Sequence, residues 1–395
     1  MGAVRIAIVG MGSAGLLHAQ ALTAGQVPDA TLTAVVCREA RFQDAAAQLP
    51  AGTRHFETLD DLLAAPNTCD AVIIATPHPL HPEQTIAALE AGLHVFCEKP
   101  AGVRASEARA MMSSAEWNGR FYSLNFNRRT VPLYQEMRTL IAQGKIGELR
   151  RIHWTSTSWL RGQSYYDDSP WRGTWAGEGG GMLLNQWPHV LDLWQWICGM
   201  PTRLRAYCGF GKHHAIEVED EVSVFAEYAN GATATLVGAT GEAPGMERIE
   251  IVGDRGRMIV EDKQIHLTLL KDGTVGDFIT GAPGGFSWPA ELNEVFKPEG
   301  DGDLVAGITR DFVAAIVAGE KGELLAPGQS GLDGLTLANA ILLSGWQDGA
   351  WVPLPMSADD EALFERSLAQ HAANSKTRDV TLASAFALKD SFKHV

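Results

Sequence analysis

Residues 4–15, VRIAIVGMGSAG, run a continuous apolar stretch straight into Gly10-x-Gly12-x-x-Gly15. A strand that ends in a glycine turn and opens a helix leaves few folds available. Gly10 permits the tight turn, Gly12 lets a pyrophosphate approach the backbone, and Gly15 lets the helix pack close to the sheet. The positive end of that helix then faces the phosphates. In a chain with 41 glycines the bare spacing means little; its place after a strand and before a helix carries the signal. The stretch Gly10, Met11, Gly12, Ser13, Ala14 and Gly15 is therefore expected to hold a dinucleotide.

The surrounding pattern agrees. Short β-rich apolar runs at 4–9, 32–37, 71–75, 94–97 and 121–124 alternate with helical patterns at 14–24, 81–91 and 106–116. Apolar strands separated by helices predict a parallel sheet covered on both faces, an α/β Rossmann domain over residues 1–126. Beyond it the grammar changes. ELRRIHWTSTSW and RLRAYCGF read as longer strands, VSVFAEYANGATATLVGAT as a hairpin about Asn230-Gly231, and RIEIVGDRGRMIVED as another about Asp254-Arg255-Gly256. Late helices are expected over 311–318 and 331–343. This predicts an α+β domain with a large, mostly antiparallel open sheet over 127–360, followed by a helix and tail over 361–395.

With 395 residues, 46% of them apolar and 20% charged, the chain suits two soluble domains. A net charge of −15, with no Lys/Arg run longer than two, repels phosphate backbones and anionic lipid. No nucleic-acid or membrane partner is expected, and no apolar run approaches the roughly 18 residues that cross a bilayer. Cys37, Cys69, Cys97, Cys198 and Cys208 are widely spaced, which predicts reduced thiols in a cytoplasmic protein. His213-His214 with Glu217, Glu219 and Asp220 reads as a polar loop, and no metal is expected.

NAD-binding sites usually place an acid for the ribose diol at the end of the second strand. Here AVVCRE puts Cys37 and Arg38 there and Glu39 late. An arginine suits a 2′-phosphate, so the reading is NAD(P), leaning to NADP.

A Thr-Pro at a strand end in ATPHPLHPEQTIAALEAGLHVFCEKPAG, closing on Glu98-Lys99-Pro100, is a rare combination. With the glycine loop and GGGMLLNQWPHVLD it strongly resembles the glucose-fructose oxidoreductase / inositol dehydrogenase / rhizopine-catabolism (Gfo/Idh/MocA) family. FNRRTVPLYQEMRTLIAQGKIGEL, GDRGRMIVED and LLAPGQSGLDGLTLANAILLSGW extend the likeness over almost the whole chain. The resemblance implies hydride transfer between NAD(P) and a sugar, inositol or related polyol. It also implies a homodimer or homotetramer built through the C-terminal sheet. Lys99 matches the lysine beside nicotinamide and substrate, and Thr76 and Pro77 match residues lining the nicotinamide ribose. His78, His81, Glu98, Asn127 and Arg128 are counted with them as cofactor contacts. His189 matches the acid/base histidine of an Asp-x-x-x-His pair, whose aspartate is Asn185 here.

Alcohol oxidation needs a base and a group that stabilises a developing alkoxide. Lys99 and His189 are the candidate catalytic residues. Pro188 favours a helix that starts there, which places His189 in a first turn near a positive helix end. Seven of the eleven tryptophans fall between 154 and 196, and aromatic platforms edged by hydrogen-bonding groups suit sugars. Trp171, Arg172 and Trp175, with Asn125, Asn185, Lys99 and His189, form the expected substrate set. Two alternatives keep the same fold: a tightly held cofactor used in redox-neutral glycoside cleavage or epimerisation, and a non-catalytic NAD(P)-binding sensor.

Overall fold

A computed structural model describes residues 2–375. The chain separates into two compact units. Among the described residues, the first contains those up to Thr130 together with Gly302–Leu335, and the second contains Val131–Asp301 and those from Thr336 to 375.

The first unit begins β1 (Val4–Val9), α1 (Ser13–Thr23), β2 (Ala30–Val36), α2 (Glu39–Ala45), β3 (Arg54–Phe56), α3 (Leu59–Leu63) and β4 (Ala71–Ile74). It continues with α4 (His81–Glu90), β5 (His94–Cys97), α5 (Ala105–Asn118) and β6 (Tyr122–Leu124). All six strands are parallel, in the order β3-β2-β1-β4-β5-β6. This is the doubly wound Rossmann order, with ligands expected outside the carboxyl ends of the strands. Every residue of β4 is buried, as a strand covered on both faces requires. β3 escapes the sequence reading: RHF is three residues long and mostly half-exposed, so it lacks an apolar run.

The second unit starts with α6 (Pro132–Ala142), β7 (Leu149–Ser156), α7 (Gln163–Asp167), α8 (Trp175–Glu178) and α9 (Pro188–Cys198). Then come β8 (Arg203–Phe210), β9 (Glu219–Glu227), β10 (Thr233–Ala239), β11 (Glu247–Gly253), β12 (Gly256–Glu261) and β13 (Gln264–Leu270). After α10 (Val275–Gly281) and β14 (Glu291–Phe296), the chain returns to the first unit for α11 (Gly307–Ala318) and for the start of α12 (Gly328–Trp346). β15 (Val352–Pro353) and α13 (Ala358–Ala373) complete the second unit. Its nine-stranded sheet runs β14-β13-β12-β11-β7-β10-β9-β8-β15, antiparallel except for the β7–β10 pair. Ile152 and Trp154 of β7 are buried on one face, while Arg151, His153 and Thr155 stand on the other.

Two expectations are corrected. Residues 302–335, assigned from sequence to the C-terminal domain, complete the first unit. Ser123 Oγ donates to the Ala326 carbonyl at 2.9 Å, and Arg129 donates to the Leu325 carbonyl and Ser330 Oγ, each at 2.7 Å. The fully buried Phe312 of α11 lies 5.8 Å from Phe96, centroid to centroid. The hairpin at Asn230-Gly231 forms, but Tyr228 and Ala232 still pair, so the loop has three residues rather than two. Only Gly231 takes a positive φ (83°), the left-handed third position of such a loop. The predicted tail beyond 375 lies outside the described residues.

Candidate active site

The glycine loop separates packing from access. A Cβ on Gly15 would collide with the Gly10 carbonyl oxygen, and one on Gly10 (φ 96°) would lie 2.7 Å from the Ala75 oxygen. At Gly12 a Cβ would meet nothing within 4 Å, so the space above this backbone is open. No side chain caps α1, whose N-cap is Gly12, and its first amides are left to an anion. Met11 is buried, Ser13 exposed and Ala14 half-buried. The loop therefore fits a pyrophosphate.

At the end of β2, Arg38 is exposed and precedes the first residue of α2. The acid beside it is engaged elsewhere: Glu39 lies 3.2 Å from His55 Nδ1 and accepts from Gln43 at 2.6 Å.

The Glu98-Lys99-Pro100 loop leaves the carboxyl end of β5 and is braced from three sides. Glu98 Oε1 accepts from His18 Nε2 at 2.8 Å and from Asn125 Nδ2 at 2.7 Å. Burial alone would raise the Glu98 carboxyl; the His18 and Asn125 hydrogen bonds and the Lys99 charge outweigh it, holding the group below its ordinary value. The other nitrogen of His18, Nδ1, is buried without a hydrogen-bond partner. His81 is fully buried between Pro100 O and Thr76 O, 2.8 Å from each, and burial lowers its pKa. Thr76 Oγ1 donates to Gln84 at 2.6 Å. Lys99 itself is half-buried, Pro77 exposed, and His78 buried with its ring 5.8 Å from His81.

Several sequence expectations change here. His81, with no exposed surface, positions the Thr76 and Pro100 backbones and cannot touch a cofactor. Glu98 and Asn125 likewise hold one another inside the loop. Asn127 donates to the Leu304 carbonyl at 2.7 Å, and Arg128 beside it is buried.

In the second unit α9 begins at Pro188, as the sequence predicts, with His189 buried in its first turn. The chain enters through successive turns in which Asn185 N donates to Gly181 O and Gln186 N to Met182 O, each at 3.0 Å. Two of the three glycines before them now have a physical reason. Gly179 ends α8 at φ 78°, and a Cβ on Gly181 would run into the Glu219 carbonyl oxygen.

Glu219 and Glu178, both essentially buried, are not singled out as site residues by the sequence. Glu219 Oε1 accepts from Gly181 N (2.8 Å) and Leu183 N (2.9 Å), while Oε2 is buried without a hydrogen-bond partner. Burial, helped by the Glu178 charge, pushes this carboxyl up to about 8. Glu178 accepts from Gly173 N at 2.9 Å and from the Asn185 side-chain amide. An isolated Glu in GEGGG gives no hint of this burial; only the fold closes over it.

The aromatic candidates divide by burial. Trp171 and Arg172 are half-buried, with the Arg172 guanidinium 4.2 Å from the Tyr165 ring and 5.1 Å from Trp171. Trp175 is a core residue instead, packed against Phe210, Trp346 and His371 at centroid distances of 5.1–5.8 Å. At His213-His214, Asp220 accepts three consecutive backbone amides from Lys212 to His214. Among the described residues no three His, Cys, Asp or Glu side chains group for a metal, and no helix is long and apolar enough to cross a membrane.

Comparison with known proteins adds an independent finding. Residues 4–126 match the family profile described as "Oxidoreductase family, NAD-binding Rossmann fold", and residues 134–259 match "GFO/IDH/MocA C-terminal domain". An inositol 2-dehydrogenase of Rhizobium meliloti is 29% identical over 350 residues, 86% of this chain and 96% of that one. A levoglucosan dehydrogenase of Pseudarthrobacter phenanthrenivorans is 30% identical over 215 residues, covering 48% of this chain and 54% of its own. The crystal structure of a WlbA dehydrogenase from Chromobacterium violaceum, in complex with NADH and UDP-GlcNAcA, superposes with a TM-score of 0.75 at 27% identity. That superposition covers 90% of this chain and 97% of the other.

Proposed function

Because the chain belongs to the Gfo/Idh/MocA family of NAD-binding oxidoreductases, we propose that it moves a hydride between nicotinamide and a secondary hydroxyl or ketone of a sugar, glycoside or inositol. The observation that carries this reading is the placement of Lys99. Its loop leaves the carboxyl end of β5, in the same parallel sheet whose β1 ends in the glycine loop, and His18, His81 and Asn125 brace it. A sensor has no need to fix an ammonium at this point, whereas a dehydrogenase does.

Gly10 to Gly15 and the amides opening α1 would hold the pyrophosphate, with Thr76 and Pro77 at the nicotinamide ribose. Nicotinamide supplies the hydride acceptor or donor when bound. The protein supplies the rest. Lys99 donates a hydrogen bond to the reacting oxygen and stabilises it as its proton leaves. His189, in the first turn of α9, is the acid/base that takes up and passes on that proton. Trp171 and Arg172 offer a flat apolar surface edged with donors, and Asn185 a polar side chain, for sugar hydroxyls.

Arg38 favours NADP over NAD, supported by its exposure and by the commitment of Glu39 to His55 and Gln43. Turnover of sugars, inositols and glycosides with NAD and with NADP, read by the absorbance of the reduced nicotinamide, tests both claims. We expect reduction with at least one polyol or sugar, faster with NADP, and Arg38→Asp should shift the preference toward NAD. Substrate consumption without any absorbance change would replace this reading with redox-neutral chemistry, and an unchanged preference in Arg38→Asp would remove Arg38 from the cofactor site.

A further inference from the structure

Position 185 carries an amide where the family pair carries a carboxylate, yet a carboxylate is present one hydrogen bond behind it. Glu178, seven residues upstream, is 1% exposed. One of its oxygens accepts the Gly173 amide at 2.9 Å and the other accepts the Asn185 side-chain amide. We propose that Glu178 is a positioning residue that fixes Asn185 and the turn leading into His189, and that it makes an amide obligatory at position 185. This rests on the reading of the His189 turn as part of a dehydrogenase site.

The argument is one of donors and acceptors. Both Glu178 oxygens act as acceptors here, one for the Gly173 amide and one for the Asn185 side-chain amide, so the group at position 185 must donate. Asn185 does so through Nδ2, and its side chain is also hydrogen-bonded to the Tyr165 phenol. An aspartate at this position would set a second carboxylate against the first with little water to separate them, and one of the two would have to hold a proton. Charges of both signs surround the pair. Glu178 acts electrostatically on Tyr165 and Tyr166 of α7 and on Glu219 of β9, whose own carboxyl is already driven upward. Arg161 and Arg172 lie against the Tyr165 ring, 5.3 and 4.2 Å from its centroid. The negative charge has thus been moved from the residue that meets substrate to a buried one that cannot, and the orientation it imposes is retained.

The test is an exchange of roles. In Glu178→Gln nothing negative receives Asn185, and in Asn185→Asp two acids collide. The double variant, Glu178→Gln with Asn185→Asp, swaps amide and acid. The introduced glutamine can accept from Gly173 through Oε1 and donate through Nε2 to the introduced aspartate, which restores both hydrogen bonds. Each single substitution should lower kcat/KM about tenfold or more, and the double should recover to within about threefold of wild type, as expected for directly coupled residues. Asn185→Asp should also add an ionisation near neutrality to the pH profile of kcat/KM, which the double variant removes. Losses that simply multiply in the double variant would overturn the proposal. The titration of the His189 ring, followed by NMR without substrate, gives a second reading that stands even if no sugar tried is turned over. The single variants should shift it and the double should restore it, whereas singles that leave it unmoved would overturn the positioning role. Loss of turnover in the wild-type protein alone would strike the dehydrogenase reading and leave this one standing.

Discussion

Three acids, Glu98 in the first unit and Glu178 and Glu219 in the second, each accept hydrogen bonds within their own unit, and their work is to hold loops in place. Lys99 and His189 are the groups we propose to handle protons. Lys99→Ala and His189→Ala should each cut kcat by roughly 10²–10⁴ while the fold persists, checked by steady-state kinetics alongside circular dichroism. Glu219 predicts a pH effect on stability. Its folded pKa, about 8, lies above the ordinary 4.5, so the folded state binds the extra proton between those values. Its contribution is full below about 4.5 and is lost as pH rises to about 8. Glu219→Gln, which keeps an acceptor for Gly181 and Leu183, should therefore gain stability relative to wild type across that window in denaturant melts, and a constant difference would refute the assignment. At this scale the sequence was informative where a residue sets local backbone, as at Pro188, which starts α9 and puts His189 in its first turn. It misled where burial decides the role. Trp175 has the chemistry of a sugar platform, and only its packing under Trp346 and His371 shows otherwise.

Elements were legible where their signal is local. Val4–Val9 and His94–Cys97 fall where continuous apolar runs predict them, and α9 starts at the proline that favours a first turn. β3 and β14 were not, because the first is three residues long and the exposed residues of the second break any alternation. The placement of 302–335 was not readable either, since its partners Ser123 and Arg129 lie about 200 residues away. The glycine loop gives the sharpest prediction at this scale. Gly15→Ala drives a methyl into the Gly10 carbonyl and should destabilise the first unit by about 1–3 kcal/mol, with cofactor binding lost as α1 shifts. Gly12→Ala meets nothing in the protein and should melt like wild type while binding NAD(P) far more weakly. Calorimetric melts with fluorescence titration of the reduced cofactor separate the two, and equal binding by Gly12→Ala would move the pyrophosphate elsewhere.

At the scale of the whole molecule, the family implies self-association through the nine-stranded sheet, and we propose that its open face is the contact. That face carries Arg151, His153 and Thr155 of β7 beside Thr235 and Val237 of β10, all half-buried or exposed. Sedimentation should give a mass of two or four chains, reduced to one chain by Val237→Glu; a single-chain mass for the wild type would contradict this. The central claim concerns hydride, and isotopic labelling follows hydride directly. A sugar or inositol substrate carrying deuterium on the oxidised carbon, incubated with oxidised cofactor and the protein, should deliver that deuterium to C4 of the nicotinamide, seen by NMR of the recovered reduced cofactor. Product formed with the deuterium still on its own carbon, and none on the nicotinamide, would contradict the assignment of this protein as a dehydrogenase.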